Sequence, residues 1–392
     1  MRVLIQQPRL PHYRVPLMRR IVQLHGWDLT LAYTPRGGTE ESGIEVRSNS
    51  DACWKTVHLP LRVYSLGSLR LNYQQGLLRM LRAEPWDAVF LEGAVANFSG
   101  YLAARWCRRH KVPCVWWTKG YFVPIGAAKR WLLRLQLRQP HAFLPYGDTT
   151  HEFLKQYGVR AEQIVRAYNT VDIETIVERK PMLEQRGREW LAKVGWQENR
   201  PVIATVGRLI PSKRVDELLR ALSLLTKGGQ ACYGIIVGDG PERESLERLA
   251  CELGLKQKVY FTGRVPEDDD AAILSVANVA VFCGALGLAI NQAMALGTPV
   301  VVADLPGPDG EMVIHATTGW RYRQSDAEQL AKQLHAILSD KSVPLAQVVQ
   351  QARDEILHKR NLTAYAQAFS EATMKAAQAS QDNYASSNSR MT

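Results

Sequence analysis

Residues 200–225 read RPVIATVGRLIPSKRVDELLRALSLL, and this stretch decides the fold. An apolar strand pattern ends at Gly207, a short loop follows, and an amphipathic helix pattern begins close to Lys213. A strand joined to a helix by a short loop is half of a βαβ crossover unit. Segments of the same kind recur along most of the chain, which predicts parallel sheets covered by helices on both faces.

The strand patterns fall into two groups. The first group reads RVLIQQ, DLTLAY, WDAVFLEG, PCVWWTKG and HAFLPYG, and the second reads RPVIATVGRL, ACYGIIVGDG, KVYFTGRV, VAVFCGA and TPVVVAD. A charged stretch without strand character, residues 172–199, separates the two groups. We therefore predict an α/β protein with two Rossmann-like domains, residues 1–175 and residues 200–361, joined by an interdomain linker over residues 176–199.

The C-terminal part of the chain carries one more helical pattern, residues 362–378, after the strands of the second domain have ended. We interpret it as a crossover helix that can return to pack on the first domain. Residues 379–392 are polar and rich in Ser and Asn, a composition that predicts a disordered tail.

Composition places the protein in an ordinary globular class. The chain has 392 residues, of which 46% are hydrophobic, enough for two separate cores. Its most apolar run, residues 279–290, is shorter than the roughly 20 residues that span a bilayer. No secretory signal pattern follows Met1, and the six cysteines form no CxxC pair. We expect reduced cysteines and a cytoplasmic protein.

The net charge of +11 is concentrated in the first half of the sequence. Residues 1–160 contain 23 Lys and Arg and 10 Asp and Glu, a net charge of +13. The remaining residues, 161–392, contain 26 Lys and Arg and 28 Asp and Glu, a net charge of −2. A single-sign field of this kind favours an anionic partner. Solvated arginines on helix faces are the alternative explanation.

Two cations near the start of the helix in residues 200–225 suggest a phosphate-binding site. Arg208 and Lys213 follow the carboxyl end of a strand, where ligands of open α/β sheets bind. The positive end of the helix dipole adds to their charge, so the three together suit a diphosphate. Considered alone, both residues could equally be ordinary surface charges.

Further strand–turn–helix segments follow in a fixed order: IIVGDGPERESLERLACELGL, VYFTGRVPEDDDAAIL, CGALGLAINQAMALGTPVVVAD and PGPDGEMVIHATTGWRY. With this order, the chain resembles the GT-B glycosyltransferases of family four, retaining enzymes that use a nucleotide-diphosphate sugar. The resemblance covers residues 2–338, and it is most specific in the second domain. In the first domain it is carried by PHYRVPLMRRI, residues 11–21, and by the YNTVD segment at Asn169 and Asp172. It implies a GT-B fold whose two domains face each other across a cleft.

The resemblance implies a donor site in the second domain. Two cations, Arg208 and Lys213, would hold the diphosphate. The backbone at the end of a strand, at Arg264 and Val265, would contact the nucleobase. A helix N-terminus, at Gly287 and Leu288, would lie beside the phosphate and the sugar. Free N–H groups at a helix N-terminus make the last assignment physically sensible.

The chain departs from the family pattern at a pair of glutamates in residues 283–304. Alignment of the QAMA segment puts the second glutamate at Gln292 and the first at Gly284. The amide oxygen of Gln292 can still accept hydrogen bonds from the ribose hydroxyls, although it carries no charge. Gly284 offers no side chain for the sugar. The pattern is similar to a branch of the family with an altered glutamate pair.

Two further residues bear on the sugar. Lys119 stands where the family often has a histidine, and it could supply a positive charge to the departing diphosphate or simply extend into solvent from a strand end. Glu311 lies in the Gly-Pro-x-x-Glu segment of the altered branch. It could stabilise positive charge at the anomeric carbon, or it could merely favour the first turn of a helix.

The first βα loop carries the candidate residues of the acceptor side. The family's paired glycines are absent from this loop, which offers His12, Tyr13 and Arg14 instead. His12 could also be a loop histidine packed under an aromatic ring. The helical pattern of residues 126–140 surrounds an apolar face of Trp131, Leu132, Leu135 and Leu137 with basic residues, which suits an anionic membrane surface or an ordinary amphipathic helix.

The resemblance implies a metal-independent transfer from a nucleotide sugar, the only co-substrate expected, to a saccharide or lipid-linked acceptor. The sugar transfer would be a step of polysaccharide or glycolipid biosynthesis. The protein would lie peripherally on the inner face of the membrane. No DxD-type carboxylate pair ends a strand near the donor segments, and residues 267–272 suggest a helix N-terminus. The alternatives are a catalytically silent relative that binds a nucleotide sugar or glycan and, more remotely, a sugar-nucleotide epimerase. No nucleic-acid recognition motif accompanies the basic charge.

Overall fold

A computed structural model describes residues 1–35, 53–66, 69–122, 125–196, 200–266, 268–340 and 342–388. The described chain divides into two compact units, residues 1–171 together with residues 362–392, and residues 172–361. Each unit is built on one six-stranded parallel sheet, and a separate antiparallel hairpin belongs to the first unit.

The first unit contains strands and helices over residues 1–156 and one further helix at its C-terminal end. Its strands are β1 Arg2–Gln6, β2 Asp28–Tyr33, β3 Lys55–His58, β4 Leu61–Leu66, β5 Leu69–Gln74, β6 Ala88–Glu92, β7 Cys114–Thr118 and β8 Ala142–Pro145. Its helices are α1 Val15–His25, α2 Leu77–Ala83, α3 Phe98–His110, α4 Ala127–Leu137 and α5 Asp148–Gln156. The sheet order is β3-β2-β1-β6-β7-β8, and β4 pairs with β5 outside it. This is the doubly wound order, with its switch point between β1 and β6.

The second unit repeats the same order. Its strands are β9 Val202–Val206, β10 Tyr233–Val237, β11 Val259–Gly263, β12 Val279–Phe282, β13 Val300–Ala303 and β14 Trp320–Tyr322. Its helices are α6 Ile173–Glu178, α7 Lys180–Val194, α8 Val215–Lys227, α9 Arg243–Glu252, α10 Asp269–Val276, α11 Ala289–Leu296, α12 Ala327–Ser339 and α13 Leu345–Lys359. The sheet order is β11-β10-β9-β12-β13-β14, so the switch point lies between β9 and β12. The prediction of two Rossmann-like α/β domains is confirmed.

The last helix, α14 Leu362–Asn388, belongs to the first unit. Its apolar side packs with α1 against the strands of the first sheet, where Tyr365 and Phe369 are almost fully buried. The indole N–H of Trp117 on β7 donates a 2.6 Å hydrogen bond to the Tyr365 hydroxyl. The helix also continues beyond the expected end at residue 378. Residues 379–388 were predicted as part of a disordered tail, but they are helical, and Ser380 donates to the backbone oxygen of Lys111.

The stretch predicted as an interdomain linker, residues 176–199, is largely helical and docked on the second unit. Most of it forms α7, which packs closely against α10. A Cβ atom at Gly187 would overlap the backbone oxygen of Ala272, and Arg186 pairs with the carboxylate of Asp269. Charged residues that appeared to favour solvent therefore form ion pairs across a helix interface, and the units divide at residue 171 instead of residue 175. Residues 197–199 lie outside the described residues.

Helix α4 resembles an ordinary amphipathic helix more than the sequence suggested. Leu133 and Leu137 are buried against the sheet with α3 and α5, and Leu132 packs beside them. Trp131, which was expected on the apolar face, is 64% exposed. Its neighbours on that outer face are basic, as described below.

Candidate donor site and the family of the chain

The candidate donor site lies at the switch point of the second sheet. The loop after β9 and the loop after β12 meet there and enclose a small pocket. Its lining comes from the ends of the two strands, the two loops and the start of α8: Thr205, Val206, Gly207, Arg208, Leu209, Lys213, Val215, Phe282, Cys283, Gly284 and Ala285. The carboxyl ends of adjacent parallel strands create this crevice, as the general rule for open α/β sheets requires.

Lys213 connects the two loops. Its ammonium group donates a 2.5 Å hydrogen bond to the backbone oxygen of Ala285. The same Nζ atom lies beside two glycines, 3.8 Å from an ideal Cβ at Gly207 and 3.5 Å from one at Gly287. Half-buried Arg208 lines the same pocket. The structure thus brings together Arg208, Lys213 and Gly287, three of the predicted phosphate-binding residues.

Gly284 is where the β12 loop touches the backbone of the β9 loop. A Cβ atom at this position would overlap the backbone oxygen of Ser212 and lie 2.6 Å from the carbonyl carbon of Lys213. The adjacent N–H of Ala285 donates a 2.6 Å hydrogen bond to the same Ser212 oxygen. Gly284 therefore does more than omit a carboxylate, because this arrangement of the two loops leaves no room for any side chain there.

The N-terminus of α11 supplies N–H groups at the same place. Of the hydrogen bonds among the described residues, none has the N–H of Gly287 or Leu288 as its donor. Two unused donors and the positive end of a helix dipole beside the Lys213 ammonium are groups of the kind that bind anions. Gln292, the fourth residue of α11, is half-buried one turn further along.

Glu311 follows a short 3-10 helix, residues 308–310, that packs against the β12 loop. A Cβ at Gly310 would overlap the side chain of Leu286, which shows how closely the two segments approach. The carboxylate of Glu311 accepts a 3.0 Å hydrogen bond from the buried guanidinium of Arg360. This ion pair links Glu311 to the residue two positions before α14. Neither of the two roles predicted for Glu311, charge stabilisation at the sugar or a first-turn helix residue, included it.

The loop that carries Glu311 is held by Arg321 on β14. Its guanidinium binds the Asp304 carboxylate and donates to the backbone oxygens of Leu305, Gly310 and Val313. Arg321 and Arg360 were not predicted as site residues, because no local motif distinguishes them from surface arginines.

The loop that carries Lys213 is held by buried polar contacts of Glu217, which was not predicted as a site residue. Glu217 on α8 is 2% exposed and accepts a 2.7 Å hydrogen bond from the Tyr322 hydroxyl. The same carboxylate binds the guanidinium of Arg214 at 3.0 Å and the N–H of Ser325 at 3.1 Å. Arg214 follows Lys213 directly and has a left-handed backbone with φ of 51°. Burial raises the pKa of the Tyr322 hydroxyl, so it acts as a hydrogen-bond donor.

Arg264 and Val265, the predicted nucleobase contacts, follow β11 at the opposite edge of the sheet order from β14. Arg264 is exposed and Val265 is half-buried. The turn that carries them is paired to the end of β10 through the N–H of Gly238, which donates to the oxygen of Gly263. Their roles remain a prediction.

The acceptor candidates of the first unit differ in accessibility. His12, Tyr13 and Arg14 form a short 3-10 helix after β1, in which His12 is exposed, Tyr13 is half-buried and Arg14 is buried. Arg14 was expected to be available to a ligand, but its guanidinium is buried 4.0 Å from the centre of the Trp117 ring and donates to the Tyr146 hydroxyl. Arg14 thus supports the loop from inside.

Lys119 lies at the end of β7 and is exposed. Its backbone oxygen accepts a 2.7 Å hydrogen bond from Thr150 on α5, and the following Gly120 has φ of 82°. The turn is therefore well fixed while the ammonium group extends from it. This geometry suits both interpretations of Lys119.

Two family models match the chain. The model for Glycosyltransferase Family 4 covers residues 17–175, and the model for Glycosyl transferases group 1 covers residues 187–355. The second match contains the whole candidate donor pocket.

The chain belongs to the group 1 glycosyltransferases.

Relatives of this glycosyltransferase carry several different named activities. It is 26% identical to the alpha-D-kanosaminyltransferase of Streptomyces kanamyceticus over 54% of each chain. It is 34% identical to the GDP-mannose-dependent alpha-(1-6)-phosphatidylinositol monomannoside mannosyltransferase of Mycolicibacterium smegmatis, over 36% of this chain and 40% of the relative. The chain thus spans about half the length, or less, of the relatives it matches.

Solved structures show the same fold over nearly the whole chain. Anabaena HepE, solved with UDP, superposes with a TM-score of 0.70 at 18% identity, covering 94% of this glycosyltransferase and 98% of HepE. Sucrose-phosphate synthase from Thermosynechococcus elongatus gives a TM-score of 0.70 at 16% identity, covering 95% and 98%. The GT-B fold predicted from the sequence is confirmed.

Within the described ranges, no three His, Cys, Asp or Glu side chains gather as a metal site would require. No helix in the part of the chain that the structure describes is long and apolar enough to cross a membrane.

Proposed function

We propose that this group 1 glycosyltransferase is a retaining, metal-independent enzyme. It transfers a sugar from a nucleotide-diphosphate sugar to a saccharide or lipid-linked acceptor in polysaccharide or glycolipid biosynthesis. The observation that carries the proposal is the presence of Arg208 and Lys213 in one pocket, with Gly287 at the N-terminus of α11 beside the Lys213 ammonium. All of these groups are cations or hydrogen-bond donors, as a site for a diphosphate requires.

The same groups explain how the chain could promote transfer. When the bond between the sugar and the diphosphate breaks, negative charge develops on the leaving phosphate. Arg208, Lys213 and the α11 N-terminus are already oriented toward that charge, so their stabilisation costs little reorganisation. The leaving phosphate can then take the proton of the acceptor hydroxyl, which leaves positioning as the main remaining task of the protein.

Roles for the remaining candidates follow from their positions. Gln292 would accept from the ribose, Arg264 and Val265 would contact the base, and Lys119 would add positive charge to the departing diphosphate. Glu311, whose carboxylate is bound by Arg360, would lie near the sugar. The Arg360 pair would then fix the direction of this carboxylate.

The proposal is tested by screening UDP-, GDP- and dTDP-sugars for hydrolysis or transfer. Arg208→Ala and Lys213→Ala should each lower kcat/KM by about 100-fold or more, because each removes a charged contact to the leaving group. Lys227→Ala, at the exposed end of α8, is the matched control and should leave kcat/KM unchanged. Equal activity of all four proteins would refute the assignment of the pocket.

Metal independence is tested in the same assay. Turnover should be the same after treatment with EDTA as with added Mg²⁺ or Mn²⁺. A requirement for either ion would contradict this part of the proposal and leave the transfer itself in place.

Binding measurements distinguish the active enzyme from the alternative, a catalytically silent relative. If the protein is silent, nucleotide diphosphates should raise its melting temperature while no donor of the panel is hydrolysed or transferred. Retention of both cations at the pocket supports the active enzyme, because a protein without chemistry to promote has less need of a leaving-group site.

We also propose that the basic first unit associates peripherally with an anionic membrane surface. Residues 93–147 contain no Asp or Glu and nine Lys or Arg. Helix α4 presents Arg130, Arg134 and Arg138 together with the exposed Trp131, a combination of cations and an interfacial aromatic ring that suits lipid headgroups. A lipid-linked acceptor would be found at such a surface.

Vesicle flotation tests the membrane proposal. The protein should float with vesicles of phosphatidylcholine and phosphatidylglycerol, but not with phosphatidylcholine alone, and salt should weaken the binding. The triple variant Arg130→Ala, Arg134→Ala, Arg138→Ala should bind less. Arg188→Ala, on an exposed position of the second unit, should bind as the unchanged protein does. Equal flotation on both vesicle types would contradict the proposal.

A further inference from the structure

The first sheet has its own switch point, between β1 and β6, and Glu92 is the last residue of β6. Ligands of doubly wound sheets bind at this crevice. The acceptor candidates predicted from the sequence lie on the loop after β1, and none lies on the loop after β6. Glu92 contributes the only acidic side chain between residues 88 and 147.

The backbone at Glu92 is held from three neighbouring elements. Its N–H donates to the side-chain oxygen of Gln6 on β1 at 3.2 Å, and its backbone oxygen accepts from the Asn97 amide at 3.0 Å. The next residue, Gly93, is in close contact with Thr118 on β7, whose hydroxyl donates a 2.6 Å hydrogen bond to the Gly93 oxygen. The position of the Glu92 side chain is therefore set in advance by its surroundings.

The carboxylate of Glu92, in contrast, has no protein partner among the described residues. None of them donates a hydrogen bond to it or forms an ion pair with it within 4.0 Å. The residue is half-buried, so the two oxygens are removed from much of the solvent and remain reachable. A carboxylate can accept about four hydrogen bonds, and leaving them unmade in a partly desolvated place is costly.

The titratable and charged groups around Glu92 are Arg9 and Arg14 from the loop and helix after β1, Tyr121 after β7 and Tyr146 after β8. Arg14 donates from Nη2 to the Tyr146 hydroxyl and lies over the Trp117 ring, while its buried Nε and Nη1 atoms have no hydrogen-bond partner among the described residues. Burial raises the pKa of Glu92 to about 7, and the two arginines only partly offset that rise. The protein therefore maintains a carboxylate that its own contacts do not stabilise. Such groups are typical of binding sites.

We propose that Glu92 binds the acceptor, with its carboxylate accepting hydrogen bonds from hydroxyl groups of the saccharide that receives the sugar. This inference rests on the proposed glycosyltransferase function and adds a substrate contact to it. The ligand class follows from the site, since an unpartnered carboxylate needs hydrogen-bond donors and a saccharide offers neighbouring hydroxyls. The same switch point receives the loop after β1, which carries His12 and Tyr13.

The test compares Glu92→Gln with the unchanged protein and with Glu152→Gln, an exposed glutamate on α5. The probes are methyl and octyl glycosides of glucose, mannose and galactose, with donor hydrolysis by water as the donor-side measurement. Glu92→Gln should raise KM for the accepted glycoside about tenfold or more and change donor hydrolysis less than twofold. In the unchanged protein, kcat/KM for the glycoside should rise with pH around 7, and Glu92→Gln should abolish that rise.

Thermal unfolding separates this role from a structural one. Because the raised pKa makes ionised Glu92 unfavourable in the folded protein, Glu92→Gln should be at least as stable as the unchanged protein at pH 8. A structural carboxylate would instead leave a less stable variant. Unchanged acceptor KM and pH profile in Glu92→Gln, or a parallel loss of donor hydrolysis, would overturn the inference.

A failure of the glycosyltransferase proposal would look different. The unchanged protein would then turn over no donor, whatever residue stands at position 92. In that case, ligand-observed NMR with the same glycosides and no donor still decides the matter. Binding to the unchanged protein that Glu92→Gln loses would support Glu92 as a saccharide ligand, and equal signals from both proteins, or none, would overturn it.

Discussion

At the scale of single residues, Gly284 shows how a change of residue type can reshape a site. A glutamate at this position would need space between the two loops, and the backbone of Ser212 and Lys213 occupies that space. The close approach allows the hydrogen bond from the Ala285 N–H to Ser212. Any side chain at position 284 would therefore require a different arrangement of the two loops.

We predict that Gly284→Ala destabilises the second unit by about 1–3 kcal/mol, because its Cβ must displace backbone atoms. The apparent Kd for nucleotide diphosphates should rise as Lys213 shifts with the loop. Urea unfolding and thermal shift with UDP and GDP measure the two effects. Gly126→Ala, where a Cβ meets nothing within 4 Å, is the control and should be neutral. Stability equal to that of the control would show that the loops separate without cost.

A second residue-scale prediction concerns His141 at the start of β8. It is 1% exposed, its Nδ1 accepts from the Cys114 N–H, and burial, with a smaller effect of Arg108, lowers its pKa from 6.5 to about 4. Between these two pH values the unfolded chain binds a proton that the native histidine does not. Stability should therefore fall as pH drops from 6.5 to 4, by at most about 1.4 kcal/mol per pH unit from this group.

Comparison with His141→Asn isolates that contribution, since the Asn amide oxygen can accept from Cys114 but does not titrate. The difference in unfolding free energy between the two proteins should change with pH below 6.5 and be constant above it. A difference that does not change across this range would mean that His141 titrates normally.

At the scale of secondary-structure elements, ten strands could be predicted from their apolar runs, whereas the strands β3, β4, β5 and β14 and the environment of charged helices could not. Strand patterns depend on local apolar runs, which the sequence displays directly. Helix α7 was assigned to a linker because its residues are charged, yet Arg186 and Gly187 contact α10. A contact between helices about 80 residues apart leaves no local pattern.

The same limit applied to the site. Arg208, Lys213 and Gly287 follow strand ends or precede a helix, so their position was predictable from chain order. The contacts of Arg14 and Glu311 depend on Tyr146 and Arg360, which lie far away in sequence. Glu92 was missed because a single carboxylate at the end of a strand resembles any other until its lack of partners is seen.

In helix α7, we expect a Gly to Ala substitution to change the stability in the direction opposite to the usual one. Gly to Ala inside an exposed helix normally stabilises by roughly 1 kcal/mol through helix propensity. Gly187→Ala should instead destabilise by about 1–3 kcal/mol, because its Cβ would overlap the Ala272 oxygen and press on Val276. Chemical denaturation measures the change, with Arg188→Ala on the exposed side as the control. A more stable Gly187→Ala would show that α7 does not dock as described.

At the scale of the whole molecule, the first unit is assembled from both ends of the described sequence. Phe369 on α14 is fully buried among Phe90 and Trp117 of the first sheet. Phe369→Ala should destabilise this unit by about 3–5 kcal/mol. Met374→Ala, on the same helix and 63% exposed, should have little effect.

Hydrogen exchange shows which strands are destabilised by Phe369→Ala. Amides of β1, β6 and β7 should lose protection in Phe369→Ala, while those of β9 and β12 keep theirs. Equal loss of protection in both sheets would contradict the division of the chain into two units.

Helix α14 also constrains the order of events during synthesis. Strands β1 to β8 leave the ribosome more than 200 residues before the helix that covers one face of their sheet. The second unit, continuous in sequence from residue 172 to residue 361, has all of its strands available first. The nascent first sheet must therefore wait with an uncovered apolar face, which makes it the part of the polypeptide most dependent on chaperones.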